Sequence, residues 1–236
     1  SWTLPPPGTK VIHLDVDEAN VGNVIRADVV LVGDAKATLR RLIDVLRSVG
    51  ARHRDHLVRE VGERRARYEE GIVSHLESRE YPVNPARFAR TLERLLPRDY
   101  VVVCDPGVGA VYTAAFLRIA EAGRRFIYNY SMGSLGYALP ASVGAAFARP
   151  GAAVTVLMGD GSFGFVTGEL ETLSRLGLGV KVILINNQSF GWIRASMLFR
   201  YGPRYFATDF RPVDYVKVAE GFGIAALRVE GPEELE

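Results

Sequence analysis

The sequence has little of what would mark a special environment. Cys104 is the only cysteine among 236 residues, so no intrachain disulfide can form, and a reducing cytoplasm is the expected compartment. An excess of one charge is also missing. Twenty-nine Lys and Arg against 27 Asp and Glu leave a formal +2, too little to favour nucleic acid or an anionic membrane as partner. No apolar run reaches the ~20 residues that a membrane-spanning helix needs, and the N-terminus has no signal-peptide pattern. Internal repeats and low-complexity tracts are lacking too. Histidine is scarce: His53 and His56 stand three apart, but no cysteine or third histidine lies near them to complete a metal site. What remains is an ordinary globular composition, 48% apolar and 24% charged. The chain opens on "SWTLPPPG" without a Met, which raises the expectation of a processed or trimmed piece.

Continuous apolar strands alternating with helices are what the chain does have. "KVIHLDVD" (10–17) and "ADVVLVGD" (27–34) read as buried strands, "EANVGNVIR" between them as a short helix, and "AKATLRRLIDVLRSVG" as a longer one. Two parallel strands cannot make a covered sheet, so residues 1–47 are expected to be the last part of an α/β domain. Residues 48–80 form a charged linker, with a solvated helix over 51–70. From 81 to 236 the alternation is regular. A helix from Pro85 leads to the strand "YVVVCD", and "PGVGAVYTAAFLRIA", "RFIYNYS", "MGSLGYALPASVGAAFA", "AVTVLMGD", a helix over 166–176 and "VKVILINN" follow. The fold class expected is α/β: a doubly wound parallel sheet preceded by the end of a second α/β domain.

In open parallel sheets ligands bind at the carboxyl ends of the strands. Three such ends here carry Gly, Asp or Asn: "CDPGVG" at 104, "MGDGS" at 158 and "INNQS" at 185. The glycine-rich turn "MGSLGYALP" opens a further helix. Gly107-Val108-Gly109 imitates a dinucleotide fingerprint, but Tyr112 stands where the third glycine belongs. The next strand also ends without the acidic residue that would hold a ribose. A nicotinamide site is therefore not expected, while a glycine loop turning its N–H groups toward a phosphate stays open.

Gly159-Asp160-Gly161 is separated from Asn186-Asn187 by 24 residues. The intervening helix makes a right-handed crossover, which places the two strands side by side and their tips at one crevice. Mg²⁺ takes oxygen ligands in tight octahedral geometry and few of them from protein. The Asp160 carboxylate, the Asn187 amide oxygen and the Ser189 backbone carbonyl would supply part of the shell, with phosphate oxygens and water as the rest. Glycines beside the Asp would let a diphosphate approach the backbone. Each turn alone is equally well an ordinary tight turn. Their separation makes the pair more specific than either.

That pair resembles the thiamine diphosphate motif. "MGSLGYALPASVGAAFARPGAAVTVLMGDGSFGFVTGELETLSRLGLGVKVILINNQSFGWIR" is similar throughout to the acetohydroxyacid (acetolactate) synthase large subunit and its relatives. "PVDYVKVAEGFGIAALRVEGPEEL" resembles the stretch that follows in that family. "KVIHLDVDEANVGNVIRADVVLVGDAKATL" resembles the end of its middle domain. The resemblance implies thiamine diphosphate and Mg²⁺ as cofactors, with Asp160, Asn187 and the Ser189 carbonyl on the metal. It implies Gly159, Gly161, Ser162 and Gly109 at the diphosphate, and the Gly133 carbonyl on the aminopyrimidine's exocyclic nitrogen. Leu135 falls where the family places an apolar residue that bends the cofactor, although core packing would read the same in a sequence. Phe190 and Trp192 fall at the substrate side, or else in core or lid packing. FAD in the middle domain is left open, near Asp15 and Asp34.

The implied activity is a carboligase or decarboxylase of 2-oxo acids, most like acetolactate synthase in branched-chain amino acid biosynthesis. Pyruvate would be the donor, and a 2-oxo acid would accept the carbanion. A simple 2-oxo acid decarboxylase or oxidase of the same superfamily is the alternative, as is a non-catalytic Mg²⁺-diphosphate binding or association module. A homodimer or tetramer and a regulatory subunit are the partners implied, with no nucleic acid and no membrane.

Three departures limit the likeness. The family's essential glutamate lies in an N-terminal pyrimidine domain with no counterpart here, so no catalytic residue is assigned in these 236 residues. Ala110-Val111-Tyr112 replaces the family's Gln-His-Gln run. The chain also stops at Glu236, where the family adds a strand and a C-terminal segment, so an internal or C-terminal fragment is expected.

Overall fold

The computed structural model describes residues 5–50, 53–119, 123 and 125–235. The chain divides into two compact units, Ser1–Arg67 and Tyr68–Glu236.

In the first unit β1 (Ile12–Asp15) pairs in parallel with β2 (Val29–Val32), Ile12 opposite Val29 and Asp15 opposite Val32. Both strands are shorter than the apolar runs predict, and the stretch between them forms only a 3₁₀ turn, Glu18–Asn20. Neither strand is buried: Ile12, Val29, Val30 and Val32 are all exposed. Two strands and one helix have too few faces to enclose each other's apolar residues, which corrects the expectation of buried strands. Helix α1 (Ala35–Ser48) is capped by Asp34, whose carboxylate accepts from the Ala37 amide at 2.8 Å. Asp15 accepts from the Asp17 amide at 2.9 Å. Both carboxylates that the FAD reading singled out are thus used as ordinary strand-end turns. The apolar stripe of α1, Leu39, Ile43 and Leu46, is exposed as well.

Residues 51 and 52 of the expected linker helix lie outside the described residues. Helix α2 (Asp55–Leu76) has no buried residue and carries pairs such as Arg64–Glu60, as a solvated charged helix should. His53 is engaged by the Asp55 carboxylate.

The second unit begins with α3 (Pro85–Leu95), capped by Asn84 with Pro85 in the first turn. It continues through β3 (Tyr100–Cys104), α4 (Val108–Phe116), β4 (Phe126–Tyr128), α5 (Ala138–Ala148) and β5 (Ala153–Gly159). Then come α6 (Asp160–Phe163), α7 (Glu169–Arg175), β6 (Lys181–Ile185), α8 (Gly191–Tyr201), α9 (Tyr215–Gly221) and a last 3₁₀ turn. Ala120, the end of the run expected to continue α4, is not among the described residues.

The sheet is parallel with strand order β4-β3-β5-β6. Because side chains alternate across a strand, an unbroken apolar run can be buried only if both faces are covered. They are. Val101, Val103, Val154, Val156 and Met158 pack on one face with residues of α5, α7 and α9. Val102, Cys104 and Leu157 pack on the other with Ala110 of α4 and Phe88 of α3. Full burial of each such side chain is worth roughly 1.5–3 kcal/mol. The doubly wound sheet of the sequence reading is present. From β3 the chain steps outward to β4, then returns to β5 on the other side. The reversal of strand order therefore falls between the carboxyl ends of β3 and β5.

Candidate functional site

Two buried aspartates stand at that reversal. Asp105 follows β3, Asp160 follows β5, and each is 2% exposed. The β5–β6 register, Gly159 opposite Ile185, brings Asp160 to the same level as Asn186 and next to Asn187. The strand tips expected to lie side by side do so.

Asp160 opens the short helix α6. Its Oδ1 accepts from the Gly161 amide at 2.9 Å, while Oδ2 is buried and accepts no hydrogen bond. A buried carboxylate oxygen with no donor is costly unless a cation or donor reaches it. Burial accordingly pushes the Asp160 carboxyl above its ordinary value, against the pull of the Gly161, Gln188, Asp160 and Asn187 amides.

Beyond β6, Asn187 closes a small turn by accepting from the Ser189 amide at 3.2 Å. Gln188 adopts a left-handed backbone, φ 53°. Residues 188–190 then pair with 208–210. Gln188 O accepts from Phe210 N at 2.7 Å, Phe190 N donates to Thr208 O at 2.8 Å, and Ser189 faces Asp209. This neck closes the excursion that carries α8. Arg194 pins it by binding the Asp209 carboxylate and lying 4.1 Å over the Tyr205 ring. The Ser189 carbonyl accepts from Gly191 N at 2.9 Å and keeps a second lone pair. Among the described residues no group of three His, Cys, Asp or Glu gathers to hold a metal. A metal in this unit would draw on the Asp160 carboxylate with amide and carbonyl oxygens, a donor set that suits Mg²⁺.

The other expected residues divide. Ser162 is buried in α6, at the tip of the strand pair. Gly133 and Leu135 sit in the turn before α5. Gly133 has φ +65°, and Leu135 is 38% exposed, so core packing does not account for that leucine. Phe190 is half-buried with its ring edge-on to Phe210, centroids 4.6 Å apart, whereas Trp192 on the first turn of α8 is half exposed.

Two glycines have a packing role in addition to the one their motifs suggest. A Cβ on Gly161 would fall 2.7 Å from Phe190 Cδ1 and Cε1, so the space beside this glycine is taken by a ring. Gly159 meets nothing closer than 3.9 Å. A Cβ on Gly109 would fall 2.4 Å from Ile185 Cδ1, so its lack of a side chain lets α4 lie close on the sheet. Its amide still lies in the first turn of a helix, where N–H groups lack intrahelical partners.

Three residues of this region escaped the sequence reading. Asp105 belongs to a strand end that was noted, but nothing in "CDPGVG" tells which group its carboxylate binds. Phe210 packs on Phe190, and Tyr215 of α9 packs edge-on to Phe163 at 5.7 Å. Burial first, and the Asp160 charge second, push the Tyr215 hydroxyl up. Neither aromatic carries a local signal of its position.

The two raised carboxyls set a pH dependence. Each binds its proton more tightly folded than unfolded, so the folded protein holds the extra protons above 3.8. The contribution is present at low pH and falls away as pH rises from 3.8 through each folded value. Asp214, held down mainly by the Lys217 amide, acts oppositely, and its contribution disappears only as pH drops below 3.8. Denaturant titration of metal-free protein between about pH 4 and pH 7 should show stability declining with pH. Asp160→Asn should flatten the decline, and an identical slope in that variant would refute the assignment.

Comparison with known proteins gives this geometry a family. Residues 105–236 match the family described as "Thiamine pyrophosphate enzyme, C-terminal TPP binding domain". The "Acetolactate synthase" of Mycobacterium bovis is 34% identical over 97% of this chain and 38% of its own length. The "Probable acetolactate synthase large subunit" of Methanocaldococcus jannaschii is 28% identical over 98% of this chain and 39% of its own. The "Acetolactate synthase large subunit" of Lactococcus lactis is 29% identical over 95% and 38%. The chain spans about two-fifths of the length of these curated relatives. None of these likenesses supplies support for FAD. With a parallel sheet whose order reverses between Asp105 and Asp160, and a matching domain that begins at the first of them, the chain belongs to the thiamine pyrophosphate enzymes and resembles their acetolactate synthase large subunits.

Proposed function

We propose that this chain holds the diphosphate and Mg²⁺ end of thiamine diphosphate, within an acetolactate synthase-like enzyme acting on 2-oxo acids. The observation that carries the reading is the buried, unpartnered Oδ2 of Asp160 beside Asn187. Asp160, Asn187 and the Ser189 carbonyl would hold Mg²⁺, and Gly159, Gly161, Ser162 and Gly109 would lie along the diphosphate. The Gly133 carbonyl and Leu135 would meet the rest of the cofactor. Phe190 and Trp192 would line the substrate side. When bound, thiamine diphosphate supplies a nucleophilic carbon for attack on a 2-oxo acid carbonyl. The residues of this chain bind and orient; the proton-transferring glutamate would come from a pyrimidine domain outside these 236 residues.

On this reading residues 1–47 are the end of a middle α/β domain, 48–80 a linker and 81–236 the cofactor domain. The exposed apolar faces of β1, β2 and α1 favour that view of the first segment. A homodimer or tetramer supplies the facing domain, and relatives named as large subunits favour a regulatory subunit. Among the described residues no helix is long and apolar enough to cross a membrane, and a lone buried cysteine goes with a cytoplasmic setting.

Calorimetric titration with thiamine diphosphate should give saturable heat in Mg²⁺ and none in its absence. The longer gene product should form acetolactate from pyruvate. Release of an aldehyde in place of acetolactate would shift the assignment to a decarboxylase, and Mg²⁺-independent binding would refute the metal site.

A further inference from the structure

Among the described residues of the second unit, Asp105 is the one buried carboxylate that this reading leaves without a role at the cofactor. It is 2% exposed, and its amide donates to Leu157 O at 2.9 Å, which seats it against β5. Its two oxygens are used on one target. Oδ2 accepts from Gly136 N at 2.6 Å and Oδ1 from Ala138 N at 2.5 Å. These amides open α5, whose N-cap residue Tyr137 offers no side-chain bond. The helix is therefore capped by a carboxylate more than thirty residues away in sequence, where the positive end of the helix dipole favours it.

The capped segment is also the one that presents Gly133 and Leu135. Its near end is held by Gly133 N donating to Asn129 O at 3.0 Å, and by Asn129 Nδ2 reaching Ser134 O at 3.5 Å. At its far end Gly136 has φ +86°, and a Cβ there would strike Val166 Cγ1 at 2.7 Å. Between these anchors Gly133 and Leu135 stand exposed.

We propose that Asp105 is a positioning residue for the cofactor, fixing the 133–136 turn so that Gly133 and Leu135 meet the part of thiamine diphosphate beyond its phosphates. This rests on the thiamine diphosphate reading above. A helix cap serving stability alone predicts something different, and two ligands separate the cases. Mg²⁺-pyrophosphate reaches only the Asp160–Asn187 end, whereas Mg²⁺-thiamine diphosphate also uses the turn.

In Asp105→Asn one acceptor becomes a donor facing a donor, so one of the two amides is left unpaired. Calorimetry on the purified, folded protein should show Mg²⁺-thiamine diphosphate weakened at least about tenfold, with Mg²⁺-pyrophosphate changed less than about twofold. Asp105→Glu, which keeps the charge and both acceptors, should recover part of the loss. Should Asp105→Asn fail to fold, Gly136→Ala strains the far end of the same turn, at φ +86° and with a Cβ 2.7 Å from Val166 Cγ1, and should show the same selective loss. Equal weakening of both ligands, or no change in either, would overturn the positioning role. A parent protein that binds Mg²⁺-pyrophosphate no less tightly than Mg²⁺-thiamine diphosphate would overturn the role by removing the reading beneath it.

Discussion

Asp160→Ala is expected to weaken Mg²⁺-thiamine diphosphate binding at least about a hundredfold, equivalent to about 2.7 kcal/mol. The proposed metal site has one carboxylate, and its remaining donors are neutral amide and carbonyl oxygens. Removing it leaves the Mg²⁺-diphosphate complex without its charged protein ligand, in a poorly hydrated place. The same residue should have the opposite effect on the protein without ligands. Oδ2 is buried and accepts no hydrogen bond, and leaving such a group unsatisfied costs about 1–3 kcal/mol. Asp160→Asn keeps the acceptor for Gly161 N and removes the charge. It also trades the unpartnered Oδ2 for an unpartnered Nδ2, so only the loss of the buried charge helps, and unfolding free energy near pH 7 should rise by no more than about 1 kcal/mol, or Tm by no more than about 2–4 °C for a chain of this size. Titration calorimetry and urea unfolding of the two variants read both effects. Unchanged affinity in Asp160→Ala would sink the site, and a marked loss of stability in Asp160→Asn would mean that Oδ2 has a partner in solution.

The second large effect is steric. Gly161→Ala places a Cβ 2.7 Å from two atoms of the Phe190 ring and 3.2 Å from Phe210 Cε2. The ring has little freedom to retreat, because Phe210 packs edge-on to it and its own amide is bound to Thr208 O. Overpacking of this kind costs about 1–3 kcal/mol. The strain also falls on the neck that orients the Ser189 carbonyl, so cofactor affinity should drop in step. Phe190→Ala should remove most of the clash. A double-mutant cycle should then give a coupling energy well above the ~0.5 kcal/mol scatter of independent sites, and additivity within that scatter would refute the contact.

The same glycine shows how a local pattern leaves the neighbour that fills its space unnamed. From "GDGS" the residue is legible as a place where a side chain is excluded. What excludes it in this structure is an aromatic ring 29 residues further along the chain, brought there by the pairing of 188–190 with 208–210. Gly109 repeats the lesson, since its place in a glycine loop does not reveal that it also lets α4 pack closely against Ile185. Asp105 is the converse. Nothing local distinguishes it from any aspartate at a strand end, yet it caps a helix that follows the next strand.

By itself the sequence determined the parallel sheet of the second unit, because Val101-Val102-Val103 is apolar at every position and Val154 to Met158 at every position but Thr155. A strand of that kind must be covered on both faces. It also pointed to the strands before Asp160 and Asn187 as neighbours, since one helical crossover joins them, and β5 and β6 do pair. Tertiary structure alone decided which carboxylate oxygen lacks a donor, which ring fills the space at Gly161 and which helix Asp105 caps. It also decided that β1 and β2 stay exposed. Periodicity is a property of neighbours along the chain, whereas these contacts join residues far apart in sequence, and no local pattern encodes their distances.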